Sequence, residues 1–191
     1  MKTRYITDRE VEAIAAHLSA WEWLTLWVCA ETGLRIGDVV SIKWRYVTSG
    51  GILFKAQKTG KWGLAPISEK LLSELKLSRR SSEWVFPSPR DPSKHLTRQA
   101  VWYRVKRACE RSGIDPEGVA PHSFRKYFAV DVFKREGLKA AQTALQHDRT
   151  ITTEEYAMSD FITGDNANLP LLRRDLVLIV KLVSAALKNR S

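Results

Sequence analysis

Cysteine is scarce in this chain, which has two in 191 residues, Cys29 and Cys109. Both lie in apolar patterns typical of helices, and their separation fits neither a zinc-ligand spacing nor a disulfide framework. We therefore expect two small buried side chains in a protein of a reducing compartment.

Long apolar runs and nucleotide or metal motifs are also missing. The first ten residues are charged, without the apolar stretch of a secretory signal, and the most apolar late stretch (176–187) contains Lys181 and is too short to span a bilayer. No P-loop, H-E-x-x-H or clustered Asp/Glu metal site occurs. These absences predict a cytoplasmic protein without a membrane partner, and they argue against nucleotide-dependent and metal-dependent chemistry.

Basic side chains, by contrast, are abundant. The formal net charge is +10 and the pI about 9.8. Residues 76–111 carry seven of these ten charges. Because such a concentrated field suits a phosphate backbone, nucleic acid is the partner we expect first, although a basic protein without that partner remains an alternative.

The pattern along the chain predicts an α+β protein that is mainly α. A capping box at Thr7-Asp8-Arg9-Glu10 begins the first helix, and Gly33 ends the second. A β-hairpin with strands at 52–54 and 62–67 and a possible strand near 46–47 predict a small antiparallel three-stranded sheet. Helices are expected over 8–18, 21–32, 36–42, 68–77, 97–112, 122–135, 139–145, 150–158 and 171–188, with loops at 79–97 and 113–121.

Two segments place cationic side chains where an anion would bind. His122 and Arg125 are three residues apart at a helix start, so they share a face near free backbone N–H groups. Arg35 lies in a Gly-flanked turn, where its planar guanidinium is suited to a phosphate, and Asp38 is placed to orient it. Taken singly, each pattern also fits an ordinary surface or turn residue.

Lys58 and Lys61 flank the turn of the predicted hairpin. Solvated turn lysines are the common interpretation, but a hairpin tip can also carry an ammonium group to a leaving oxygen. Either lysine fits that role. Further along, His147 precedes Tyr156 by nine residues. A tyrosine is a covalent nucleophile when neighbouring groups activate its phenol, and otherwise a core residue.

The predicted helix at 97–112 carries a row of arginines. Arg98 stands at its start, and Arg104, Arg107 and Arg111 share one face. A solvated helix face is the alternative to phosphate contact, which the surrounding positive charge favours.

In this order, TGLRIGDVVSIKW, HSFRKYFA and LQHDRTITTEEYA resemble the tyrosine recombinase (phage integrase) family. The resemblance covers about residues 7–158. It implies the fold of the DNA breaking-rejoining enzymes, with residues 1–170 as the catalytic domain and 171–191 as a C-terminal helix that packs in cis or docks on a neighbouring protomer. The family's catalytic pattern falls on Arg35, Lys58, His122, Arg125, His147 and Tyr156.

The resemblance implies site-specific cleavage and rejoining of double-stranded DNA by a homotetramer, without a cofactor. Tyr156 would attack the scissile phosphate and form a 3′-phosphotyrosyl link. The two arginines would hold the non-bridging oxygens, Lys58 would protonate the leaving 5′-oxygen, His122 would accept the tyrosine proton, and His147 would hydrogen-bond the phosphate.

Two features depart from the family's pattern. Gln146 replaces the glycine that usually precedes the second histidine. The resemblance also begins near the first residue, so we expect a chain without the usual N-terminal core-binding domain, either as an excised fragment or as one of the short members of the family. Three alternatives share parts of the pattern: a type IB topoisomerase, a hairpin telomere resolvase, and a DNA-binding regulator that has lost catalysis. The complete set of six residues argues against the last.

Overall fold

Side-chain caps set the ends of the first two helices. The computed structural model describes residues 3–144, and within them α1 spans Asp8–Ala16 and α2 spans Ala20–Thr32. Thr7 with Glu10 and Ser19 with Glu22 form a capping box at each start, so the first free N–H groups are satisfied. Gly33, in the left-handed conformation at φ 66°, ends α2.

A short helix leads into the sheet. Helix α3 spans Ile36–Val40, and a 3-10 helix at Trp44–Tyr46 follows it. The strands are β1 (Val47–Thr48), β2 (Gly51–Lys55) and β3 (Trp62–Ala65), antiparallel in the order β1-β2-β3. In the register of β2 with β3, Ile52 faces Ala65 and Leu53 faces Leu64. The alternation buries Ile52, Phe54 and Ala65 and exposes Leu53 and Leu64.

Two capped helices flank a long connection. Helix α4 (Glu69–Leu77) begins at the Ser68 cap and α5 (Arg98–Ser112) begins at the Thr97 cap. The chain between them, 79–97, is held by isolated bridges and by the indole of Trp84, which donates to the Ser93 carbonyl at 3.0 Å. Side-chain and bridge contacts therefore order this connection in place of regular elements.

The core lies where α2 packs against α6. Helix α6 (Pro121–Glu136) begins with a proline, which suits a first helical position, and α7 (Leu138–Ala144) follows after Gly137. Leu26 and Val28 of α2 and Phe124 of α6 are nearly or wholly buried, and Trp23 meets Phe124 edge-on at 6.3 Å. A smaller apolar cluster joins α6 to α7. This packing places the N-terminal end of α6 beside the turn after α2.

The α+β, mainly α class with a three-stranded antiparallel sheet is confirmed. Cys29 and Cys109 are free and buried, as predicted. The 3-10 helix was not predicted, and α1 ends at Ala16, two residues earlier than expected. The predicted helices at 150–158 and 171–188 lie outside the described residues. Within residues 3–144, no helix is long and apolar enough to cross a membrane.

Candidate active site

Arg35 caps the N-terminal end of α3, in the turn between α2 and α3. Its backbone is extended (φ −69°, ψ 143°), and its main-chain carbonyl accepts from Asp38 and Val39 at 2.8 and 3.0 Å. The side chain is half-buried. Two main-chain hydrogen bonds therefore fix the backbone from which the Arg35 side chain extends.

Helix α6 brings His122 and Arg125 to the same place. Arg125 is 4% exposed, and its Nη1 donates to the carbonyl of Gly33, two residues before Arg35. His122 is half-buried at the start of the helix. The buried guanidinium thus joins α6 directly to the turn that carries Arg35.

Lys58 reaches the site from the sheet. It lies in the turn between β2 and β3, where the Ala56 carbonyl accepts from Thr59 at 3.2 Å and from Gly60 at 2.7 Å. The neighbouring residue, Gln57, donates its main-chain N–H to Oδ1 of Asp38 at 2.9 Å. This hydrogen bond to the Asp38 carboxylate connects the hairpin to α3. The sequence predicted a different contact for Asp38, a hydrogen bond that orients Arg35.

The segments meet at one cleft of about 400 Å³. Among the described residues that line it, Asp38 is the only acidic one, whereas four are arginine or lysine and His122 adds an imidazole. The lining consists of Arg35, Ile36, Gly37, Asp38, Gln57, Lys58, Arg98, Pro121, His122 and Arg125. Clustered cations and hydrogen-bond donors of this kind suit a phosphoryl group.

Cys29 is a buried thiol that lies close to the cleft residue Arg125. Cys29 of α2 is fully buried, and this burial raises the pKa of its thiol to about 12 although the nearby Arg125 opposes the shift. The thiol therefore stays protonated and contributes packing only. Within residues 3–144, no group of three His, Cys, Asp or Glu side chains is placed to hold a metal ion.

The family model described as "Phage integrase family" matches residues 4–162. The chain belongs to the phage integrase family. The match extends over the segment that carries His147 and Tyr156, which lie outside the described residues.

Family relatives are similar in sequence and in fold. Tyrosine recombinase XerD of Vibrio cholerae serotype O1 is 31% identical over an alignment of 137 residues, and the match covers 65% of this chain and 45% of the relative. The lambda integrase catalytic core superposes with a TM-score of 0.66 at 25% identity, over 78% of this chain and 93% of that one. A lambda integrase tetramer bound to a Holliday junction gives a TM-score of 0.72 at 22% identity, over 90% and 52%. The chain therefore matches about half the length of its curated relatives.

The predicted DNA-binding residues separate into three environments. Arg98 lines the cleft, whereas Lys61, Arg107 and Arg111 are exposed outside its lining. Arg104 instead pairs with Glu22 of α2 at 2.6 Å and lies over the Trp21 ring at 5.4 Å. Burial opposes the shift at Glu22, but hydrogen bonds from Ser19 and Arg104 outweigh it and lower the pKa of this carboxyl below 4.5. Arg104 thus already has a carboxylate partner within the domain.

Gln57 is the cleft residue that sequence reasoning missed. Its side-chain Nε2 donates to the Gly37 carbonyl at 3.0 Å and to the Ser41 hydroxyl at 3.3 Å. The available signal was its position next to Lys58. No sequence motif identifies a residue of this kind, because its contacts depend on which helix the hairpin packs against.

Proposed function

We propose that this chain is the strand-cleaving part of a site-specific DNA recombinase, acting through a 3′-phosphotyrosyl intermediate. The observation that carries the proposal is the cleft in which Arg35, Lys58, His122 and Arg125 converge from three separate segments. Family membership supports the same chemistry, because the four residues follow the family's catalytic order.

The arginines would stabilise the charge of the reacting phosphate. The Arg125 guanidinium is held by the Gly33 carbonyl before DNA arrives, and the main chain of Arg35 is fixed two residues beyond that carbonyl at the start of α3. Donors fixed in advance need no rearrangement when negative charge develops on the non-bridging oxygens. This preorganisation is the main contribution that we assign to the pair.

Proton transfer to His122 and from Lys58, together with a hydrogen bond from His147, completes the proposed reaction. The phenol of Tyr156 loses its proton to His122 and bonds to phosphorus, while the bond from phosphorus to the 5′-oxygen breaks. Lys58 gives a proton to that oxygen, and His147 hydrogen-bonds the phosphate. Attack by a second strand's 5′-hydroxyl reverses the steps, so the phosphodiester is exchanged without external energy.

Double-stranded DNA is the partner that the charge favours. We assign phosphate contacts to Lys61, Arg98, Arg107 and Arg111, which are exposed in the described structure. Lambda integrase has been solved as a tetramer on a Holliday junction, and we propose a homotetramer on DNA here as well. In this proposal residues 1–170 form the catalytic domain, and the predicted helix at 171–188 docks on a neighbouring protomer.

A nicked suicide substrate tests the proposed nucleophile. Cleavage beside the nick releases a short strand, so the covalent protein–DNA adduct accumulates and is visible by denaturing electrophoresis. We expect the wild-type chain to form this adduct. Tyr156→Phe should form none, because the phenolic oxygen is gone, yet it should still shift the DNA in a native gel.

Tyr103→Phe is the matched control. Tyr103 is 63% exposed on α5 and does not line the cleft, so the same chemical change there should leave adduct formation intact. An adduct that persists in Tyr156→Phe would contradict the assignment of the nucleophile. The absence of any adduct from the wild-type chain would contradict the proposed activity itself.

A further inference from the structure

Gln57 attaches the turn that carries Lys58 to the helical part of the domain. Gln57 donates its main-chain N–H to Asp38 at 2.9 Å, and its side-chain amide donates to Gly37 at 3.0 Å and to Ser41 at 3.3 Å. All three acceptors lie in or just after α3, the helix that Arg35 caps. The residue before Lys58 is therefore bonded to the same element that holds a proposed phosphate clamp.

The close fit at Gly37 is a second sign that this contact is specific. A Cβ at Gly37 would lie 3.0 Å from Oε1 of Gln57, 3.3 Å from Cδ of Arg98 and 3.6 Å from Cδ of Gln57, so the amide of Gln57 is the nearest group to the place of a side chain. Gly37 has helical backbone within α3, where alanine would be the more stable residue if space allowed. Its backbone conformation does not require glycine, and the close approach of Gln57 favours it, since a Cβ would push the amide away.

Lys58 needs such an attachment. Residues 57–60 are exposed, and a lysine ammonium stands on a flexible four-carbon stem with large rotamer freedom. A general acid must nevertheless lie within hydrogen-bond reach of the oxygen that it protonates. Because the main chain is fixed just before Lys58, the ammonium group can reach fewer positions, and those positions lie near the cleft.

We propose that Gln57 is a positioning residue, which holds the turn against α3 so that Lys58 delivers its proton to the leaving 5′-oxygen. This inference rests on the strand-cleavage activity proposed above. It also distinguishes the two turn lysines, since Lys58 adjoins the anchored residue and lines the cleft, whereas Lys61 follows Gly60 and does not line it.

Proton delivery to the leaving group can be tested by replacing the atom that leaves. When sulfur replaces the bridging 5′-oxygen of the scissile phosphate, the leaving group is a thiolate. Thiols have a pKa near 8.5 whereas water, an oxygen acid, is near 15.7, so a thiolate departs without protonation. A defect in proton delivery should therefore disappear on the sulfur substrate, and a defect in folding, DNA binding or phosphate clamping should not.

The experiment measures single-turnover cleavage of the oxygen and sulfur substrates, with protein in excess over DNA. On the oxygen substrate we expect Lys58→Ala to be slowed about 10²–10⁴-fold and Gln57→Ala about 10–10²-fold. On the sulfur substrate both variants should return to within about threefold of wild type. Thr59→Ala alters the same turn on the other side of Lys58 without touching α3, and should match wild type on both substrates.

Gly37→Ala tests the contact from the opposite side. Its new Cβ should displace the Gln57 amide, so it should show the same oxygen-specific defect, and the double variant Gly37→Ala/Gln57→Ala should be no slower than the slower single variant. Thermal unfolding of each variant reports whether it is folded. Gln57 is exposed, so its replacement should leave the unfolding temperature unchanged.

Each failure identifies what is wrong. A Gln57→Ala variant with wild-type rates, or one equally slow on both substrates, overturns the positioning role. A Lys58→Ala variant that sulfur does not restore overturns Lys58 as the acid, and the positioning role with it, while strand cleavage stands. Wild-type protein that cleaves neither substrate overturns the proposed function.

Discussion

At the scale of single residues, the cleft combines a side chain that is buried and bonded with one that is exposed on a turn anchored next to it. Arg125 is buried and bonded to Gly33, whereas Lys58 sits on an exposed turn. The same difference suits their proposed tasks. A clamp on a phosphate gains from rigidity, and a proton donor must adjust as the leaving oxygen moves away.

Replacing Arg125 by lysine tests whether the planar fork matters beyond its charge. Lysine keeps one positive charge, but it cannot donate to Gly33 and to a phosphate in the fixed geometry of a guanidinium. We expect Arg125→Lys to lower the single-turnover cleavage rate about 10²–10³-fold on both the oxygen and the sulfur substrate.

The matched control is Arg9→Lys, the same change at an exposed position of α1 that lies outside the cleft lining and has no assigned DNA contact, and it should cleave at close to the wild-type rate. Recovery of Arg125→Lys on the sulfur substrate would mean that Arg125 assists the leaving group instead of the non-bridging oxygens.

At the scale of the elements, helix ends were predicted better than short segments. Gly33 and Gly113 end α2 and α5, and Thr7, Ser68 and Thr97 cap α1, α4 and α5, all positions that local chemistry identifies. The two-residue strand β1 and the 3-10 helix before it are too short to show a period. Their conformations depend on contacts with the rest of the sheet, which a sequence does not display.

Helix α5 shows that sequence spacing alone also does not identify functional residues. Its arginines repeat at helical spacing, which predicted a single phosphate-binding face. The structure shows Arg104 paired with Glu22 across 82 residues of sequence, while Arg107 stays exposed. Spacing places residues on one side of a helix, but it cannot tell which of them faces a neighbouring helix.

The pair of substitutions Arg104→Gln and Arg107→Gln tests this division of roles. Loss of the ion pair with Glu22 should lower the free energy of unfolding by about 1 kcal/mol and leave the salt dependence of DNA binding unchanged. Loss of an exposed phosphate contact should leave stability unchanged and reduce the slope of log K against log salt by about one. Thermal unfolding and DNA-binding titrations at several salt concentrations measure both.

The pH dependence adds a control for Arg104. Because the folded pKa of Glu22 is below 4.5, the ion pair contributes its full stability above pH 4.5 and loses it as the pH falls through the folded value. The difference in stability between wild type and Arg104→Gln should shrink in the same range. A reduced salt slope in Arg104→Gln would instead assign that arginine to DNA.

At the scale of the whole molecule, the site is a product of tertiary packing. The order of the cationic residues predicted which side chains converge, and the described part of the chain brings Arg35, Lys58, His122 and Arg125 to one cleft. The sequence did not predict the bonds that hold them there, from Arg125 to Gly33 and from Gln57 to α3. Those contacts join residues far apart in the chain, and no local pattern encodes them.

Removal of residues after Asn168 tests how the molecule assembles. The removed segment contains the apolar run Leu176-Val177-Leu178-Ile179-Val180, which is more apolar than a solvated helix needs to be. If this segment docks on a neighbouring protomer, the shortened chain should bind DNA but form smaller complexes than the full chain, as measured by light scattering after size exclusion on DNA with two binding sites. Its unfolding temperature without DNA should stay the same.

The opposite result is expected if the segment packs on its own domain. The unfolding temperature of the shortened chain should then fall, and its assembly state on DNA should not change. That outcome would contradict docking between protomers.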